Sequence, residues 1–203
     1  MYLKGILAAA AAAACLCGEI WRELHHFRTV TYRLRSKKLE GIGEDVRFVF
    51  LSDLHNQTYG KGNRRLLRKI KEIDPALVLI GGDMLVGKKG KSFAPALAFV
   101  RELAGQFPVY YANGNHEQRL KERAEEYGNV YARYRAELER AGVHFLENGS
   151  QELFCGSCRL RLTGLEIPAE CYSHFKKARM PEGAVKERIG ETDAAAYEIL
   201  LAH

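Results

Sequence analysis

The chain has 203 residues, 47% of them hydrophobic and 28% charged, a balance that indicates a folded domain with its own core and excludes a disordered chain. Its five cysteines are scattered along the sequence, which excludes a small disulfide scaffold. The formal net charge is +6, and +5 of it lies between Trp21 and Lys38, where Arg22, Arg28, Arg33, Arg35, Lys37 and Lys38 face Glu23 alone.

The first element in chain order is an uncharged run, Gly5–Gly18, preceded by Lys4 and followed by Glu19. It is short for a membrane span of ~20 residues and suits a signal-peptide core or a brief anchor, with an alanine-rich soluble helix as the plain alternative. The reading carried forward is a single N-terminal signal or membrane anchor over 1–20, a basic connector over 21–45, and a folded domain over 46–203. A nucleic-acid binder carries its basic surface on the folded domain, so no nucleic acid is expected as a partner. Beside an apolar segment, the same charge suits the anionic head groups of a membrane surface. The basic flank by itself would hold the domain in the cytoplasm, whereas an export signal places it outside; an extracytoplasmic domain is expected, with the face left open.

From Val46 the pattern alternates between strands and helices. Val46–Ser52 is a β-rich apolar run, and Asn63 is placed to cap a helix through Ile73, with Leu66, Leu67, Ile70 and Ile73 on one face. Ala76–Ile80 is a second strand closed by Gly81-Gly82. A helix from about Ala94 to Leu103 follows, then a strand at Val109–Ala112. Glu117–Ala141 reads as one long charged helix with Gly128 as a possible break. This alternation indicates βαβ units and a mainly parallel sheet. Short strands follow at Val143–Leu146, Glu152–Cys155 and Arg159–Thr163, with Gly156-Ser157 as a two-residue hairpin loop. Residues 182–190 read as a polar loop, and Ala194–Leu201 as a short helix running into apolar Ile199-Leu200-Leu201.

Three strands end on chemically able residues: Asp53-Leu-His55, Gly81-Gly82-Asp83, and Gly114-Asn115-His116-Glu117. The carboxyl ends of parallel strands share one edge, so these groups can converge. Carboxylates and imidazoles suit divalent manganese, iron or zinc. Asp83 has two oxygens and could bridge a pair of ions, which would clamp a phosphoryl group and turn a water into hydroxide near neutral pH.

In this order and on successive strand ends, the three motifs resemble the calcineurin-like metallophosphoesterase family, and Ser52-Asp53-Leu54-His55 with the N-terminal apolar run resembles its membrane-associated bacterial branch. The resemblance runs from about Val46 to the end of the chain. It implies an α/β fold, a two-sheet sandwich with mostly parallel strands flanked by helices. It implies an enzyme that hydrolyses a phosphomonoester or phosphodiester with two divalent metal ions. Carried over, Asp53 and His55 hold the first metal, Asp83 bridges both, Asn115 binds the second, and His116 contacts the phosphate and stabilises or protonates the leaving oxygen. His203, closing the apolar Ile199–Ala202, stands where the family has a further second-metal ligand. The family's next motif, Gly-His-x-His, would follow His203, so the 203-residue chain is expected to bind metal weakly. The N-terminal segment points to a lipid-linked or envelope substrate. A non-catalytic scaffold of the same fold and a nuclease are the alternative functions.

The remaining candidates have plainer readings. His25-His26 suits an interfacial position, and His144 and His174 suit structural ones. Cys155 and Cys158 face each other across the hairpin as free thiols, or as a disulfide in an oxidising compartment.

Overall fold

The structure is a computed structural model that describes residues 2–43, 45–172 and 178–203. Two sheets form the frame. The first holds β1 (Phe48–Leu51), β2 (Leu77–Ile80), β3 (Val109–Tyr111) and β4 (Val143–Phe145), side by side in that order and all parallel. The second holds β5 (Gly149–Cys155), β6 (Cys158–Leu165) and β7 (Tyr197–Ala202); β5 and β6 form a hairpin, and β7 lies parallel to β6.

The helices are α1 (Tyr2–His25), α2 (Arg64–Ile73), α3 (Ala94–Ala104), α4 (Asn115–Glu122), α5 (Ala124–Tyr127), α6 (Val130–Arg140) and α7 (Ala184–Ile189). Alternating residues on β2 and β3 divide the interior in two. Val78, Ile80, Val109 and Tyr111 pack with Leu66, Leu67 and Ile70 of α2, Phe99 and Leu103 of α3, and Tyr134 and Leu138 of α6. Leu77, Leu79 and Tyr110 point the other way and meet Leu162 and Leu201 of the second sheet. This is the expected α/β two-sheet sandwich flanked by helices.

Several local expectations are corrected. The long helix over 117–141 is three helices, starting at Asn115: Arg123 leaves helical geometry (φ −113, ψ 45), and Gly128 (φ 67) ends α5. Residues 182–190 contain α7, which starts after left-handed Gly183 and stops at Gly190. Ala194–Leu201 holds no helix; Ala194–Ala196 form a turn, and from Tyr197 the chain pairs with β6 as β7. Asn63 does precede α2, but its side chain does not cap the helix. It is buried and accepts from Tyr59 N–H at 2.7 Å, closing the loop that follows β1.

At the N-terminus, the run Gly5–Gly18 lies within α1. Among the described residues, no helix is long and apolar enough to cross a membrane.

Candidate metal centre

Four chain segments meet at one end of both sheets. The segment after β1 carries Asp53 and His55, the turn after β2 carries Asp83, and the first turn of α4, just past β3, carries Asn115 and His116. From the second sheet, β7 ends at Ala202 and delivers His203.

Backbone contacts hold these segments in register beyond the strands. Asp53 N–H donates to Gly82 O at 3.1 Å, His55 N–H to Asp83 O at 2.9 Å, and Asn56 N–H to Met84 O at 2.8 Å. Asp53, His55, Asn56 and Asp83 all take left-handed conformations, with φ of 57, 48, 60 and 54. Each such residue costs about 1–2 kcal/mol relative to the right-handed form, so the surrounding contacts must offset strain concentrated here. Gly82 (φ +90) and Gly114 pass each other backbone to backbone. A Cβ on Gly82 would fall on the Gly114 backbone, and one on Gly114 would fall on Asp83.

Glu117 locks this crossing. Its carboxylate is 0% exposed and accepts from Asp83 N–H at 2.8 Å, Met84 N–H at 3.0 Å, Gly114 N–H at 3.1 Å and Tyr111 O–H at 2.7 Å. Burial, with the neighbouring Asp83 charge, raises its pKa, while the Tyr111 and backbone hydrogen bonds pull it down. On the outer side, Asn113 donates to Glu166 at 3.0 Å and to the Tyr131 hydroxyl at 2.7 Å, bracing the segment before Gly114.

Asp83 is the centre, only 2% exposed. Its Oδ2 lies 3.3 Å from His203 Nε2, 3.8 Å from His55 Nε2 and 3.9 Å from His116 Nε2. Asp53 Oδ1 lies 3.5 Å from His55 Nε2 and 3.7 Å from His203 Nε2. The result is two overlapping groups, His55–Asp83–His116 and Asp53–Asp83–His203, each with its ligand atoms within 4.8 Å of one another. The end of the Asn115 amide is 3.0 Å from Asp83 Oδ2; an NH2 there donates a hydrogen bond, and a carbonyl oxygen there would share a cation with the carboxylate. The other five residues named from the sequence, Asp53, His55, Asn115, His116 and His203, therefore lie around Asp83.

The donor set fits divalent metal. Among the described residues, Asp53 and Asp83 make their ion pairs only with histidines. Two adjacent carboxylates without Lys or Arg call for a cation, and carboxylate oxygens with imidazole nitrogens are the ligands such ions take.

The histidine partners separate their roles. His203 Nδ1 lies 2.8 Å from Gly81 O, so it donates there and leaves Nε2 with a free lone pair facing Asp83. His116 is the reverse. Its Nδ1 accepts from Gly87 N–H at 2.8 Å, so the neutral ring carries its proton on Nε2 and faces the site as a donor. Burial first, then the charges of His55, Arg119 and Lys88, push its pKa down to about 4, so the ring is neutral at pH 7. Asp53 and His55 line the open side, with side chains 58% and 39% exposed; Ser52 Oγ steadies Asp53 at 2.6 Å.

Sequence reading missed the roles of Glu117, of the Gly81 carbonyl and of the Gly87 N–H. Glu117 stood inside the third motif, and beside its local partners Gly114 and Tyr111 it accepts from the turn after β2, 33 positions away for Met84. The other histidines lie outside both ligand groups: His25 stacks on Trp21 and His144 on Tyr110, and His174 lies outside the described residues. Cys155 and Cys158 sit opposite each other as free thiols.

A family model described as calcineurin-like phosphoesterase matches residues 46–166, a span that includes the Asp53, Asp83 and His116 segments and ends before His203. No curated protein matches the chain. No solved structure matches it.

Proposed function

The chain belongs to the calcineurin-like phosphoesterase family, and from that premise we propose that it hydrolyses a phosphomonoester or phosphodiester at a two-metal centre built around Asp83. The observation that carries this reading is the buried Asp83 carboxylate with Asp53, His55 and His203 gathered around it, and with no Lys or Arg paired to it among the described residues.

In this reading Asp53 and His55 hold one ion, Asn115 and His203 the other, and Asp83 both. Divalent manganese, iron or zinc in these positions would polarise the phosphoryl oxygens and lower the pKa of water enough to supply hydroxide near neutral pH. The chain's own residues do the rest. The left-handed turns at Asp53 and Asp83 aim both carboxylates inward. The Gly81 carbonyl fixes the His203 ring so that a basic nitrogen faces the site. His116, neutral and protonated on Nε2, donates a hydrogen bond to a phosphoryl or leaving oxygen as negative charge develops there. A neutral imidazole is a weak acid, so its contribution is a placed donor rather than a proton released at pH 7.

The test is manganese-dependent hydrolysis of p-nitrophenyl phosphate and bis(p-nitrophenyl) phosphate. Asp83→Asn should abolish metal-stimulated turnover. His116→Ala should lower kcat by about 10²–10³-fold while leaving bound manganese unchanged. No manganese stimulation in the parent protein, or full activity in Asp83→Asn, overturns the reading.

A further inference from the structure

Directly after Asp83 the chain runs Met84-Leu-Val-Gly-Lys88-Lys89-Gly90-Lys91, and this loop is fastened to the one group of the site that donates towards substrate. Gly87 N–H donates to His116 Nδ1 at 2.8 Å, and Arg119 Nη1 donates to Gly87 O at 3.3 Å. The approach is close enough that a Cβ on Gly87 would meet the His116 carbonyl at 2.5 Å. Lys88 is thus the next residue after the one that touches His116. The loop turns back through Lys91 N–H to Lys88 O at 3.1 Å, with Gly90 left-handed (φ +73), so that Lys88 and Lys91 stand close together.

Three lysines and Arg119 belong to this loop and the helix it touches, and of the lysines only Lys89 pairs with an acid among the described residues, Glu126 at 3.6 Å. Among the described residues Lys88 and Lys91 have no acidic partner, and both are exposed. The three lysines also border a cavity of about 120 Å³, whose other wall includes Leu85, Phe93 and Tyr127. Unneutralised cations packed beside a catalytic donor have an electrostatic cost that a bound anion removes.

We propose that Lys88 and Lys91, with Arg119, form a second anion subsite that takes a further phosphate on the leaving portion of the substrate, so that the preferred substrate is a bisphosphate or diphosphate rather than a simple phosphoester. The subsite rests on the assignment of Asp83 and His116 to phosphoester hydrolysis. His116 Nε2 faces the site while Gly87 holds its Nδ1 edge, so the lysine loop lies behind the imidazole as seen from Asp83, and a leaving portion that runs past His116 would reach it. Gly87 couples the two positions, since one peptide both orients the imidazole and carries the first lysine.

The experiment compares propyl phosphate with propane-1,3-diyl bisphosphate, the same chain with and without the second phosphate, by phosphate release in manganese. The parent protein should show a KM about tenfold lower for the bisphosphate, a preference that shrinks as salt is raised. Lys88→Ala combined with Lys91→Ala should remove that preference and leave kcat/KM for propyl phosphate within about twofold, because both side chains are exposed; Lys88→Arg should keep it. Equal KM values for the two substrates in the parent, or a preference untouched by the double substitution, overturns the subsite. Calorimetric binding of propane-1,3-bisphosphonate to metal-free protein supplies a separate arm. If neither ester is hydrolysed yet the bisphosphonate binds and the double variant does not, the subsite stands and the catalytic reading falls. Phosphatidylcholine vesicles carrying diacylglycerol pyrophosphate separate the sources: lysine-dependent hydrolysis confined to vesicles assigns the second phosphate to a lipid head group, and the same dependence on the soluble compound assigns it to a free metabolite.

Discussion

Four backbone N–H groups, of Asp83, Met84, Leu85 and Gly114, and the Tyr111 hydroxyl converge on Glu117, a residue whose carboxylate takes no part in holding metal. Each buried donor left without an acceptor costs about 1–3 kcal/mol. Glu117→Ala is therefore expected to lower stability by at least about 3 kcal/mol in urea unfolding, and to lose manganese-stimulated hydrolysis because the Asp83 and Gly114 turns part. Glu117→Gln keeps one good acceptor and should retain more of both. An alanine variant as stable as the parent would refute this account of how the turns are joined. Little of this was legible in the sequence. The motif residues announced themselves because carboxylates and histidines at strand ends are chemically conspicuous. Glu117 looked like the first charged residue of a helix: its reach back to Gly114 N–H has the ordinary cap spacing, whereas its Asp83 and Met84 partners are set by chain crossing. The histidine tautomers were equally hidden, being decided by one carbonyl and one N–H on other segments.

At the level of elements, β2 and β3 could be read as continuous apolar runs because both of their faces are buried, and α2 and α3 from periodicity because each buries one continuous face. The errors fell where local preference and tertiary context disagree. Arg123 breaks a run of good helix formers with no glycine or proline to signal it. Residues 197–202 become a strand because β6 offers them a full ladder. The placement of β4 was also illegible: Val143–Phe145 resembles the hairpin strands that follow, yet it joins the first sheet beside β3. The glycines before Asp83 could be read as places where backbone packs closely; that their partner is the glycine before Asn115 could not. Gly82 and Gly114 let two turns cross at backbone distance. Gly114→Ala should push Asp83 out of place, with a stability loss of about 1–3 kcal/mol and a larger fractional loss of hydrolysis than of fold. Circular dichroism melting beside the p-nitrophenyl phosphate assay tests this; unchanged activity would show that the crossing tolerates a methyl group.

Across the whole molecule, the candidate ligands are drawn from both sheets, with Asp53, His55 and Asp83 following strands of the first and His203 following β7 of the second. Bound ions would add a further tie between two layers that meet through the cluster around Leu79, Tyr110, Leu162 and Leu201. Manganese at a hundredfold excess over its dissociation constant stabilises by about 2.7 kcal/mol, which for a chain of this size raises Tm by roughly 5–10 °C. A chelator should reverse the rise, and His203→Ala should reduce it by at least half; a melting temperature indifferent to metal would contradict the arrangement. The position of His203 has one more consequence. It lies immediately past β7, so the last strand of the second sheet reaches the centre with no intervening loop to absorb movement. Amide hydrogen exchange along Tyr197–Ala202 then becomes a gauge of occupancy: slow when the ions are in place, fast when they leave, and readable without any substrate.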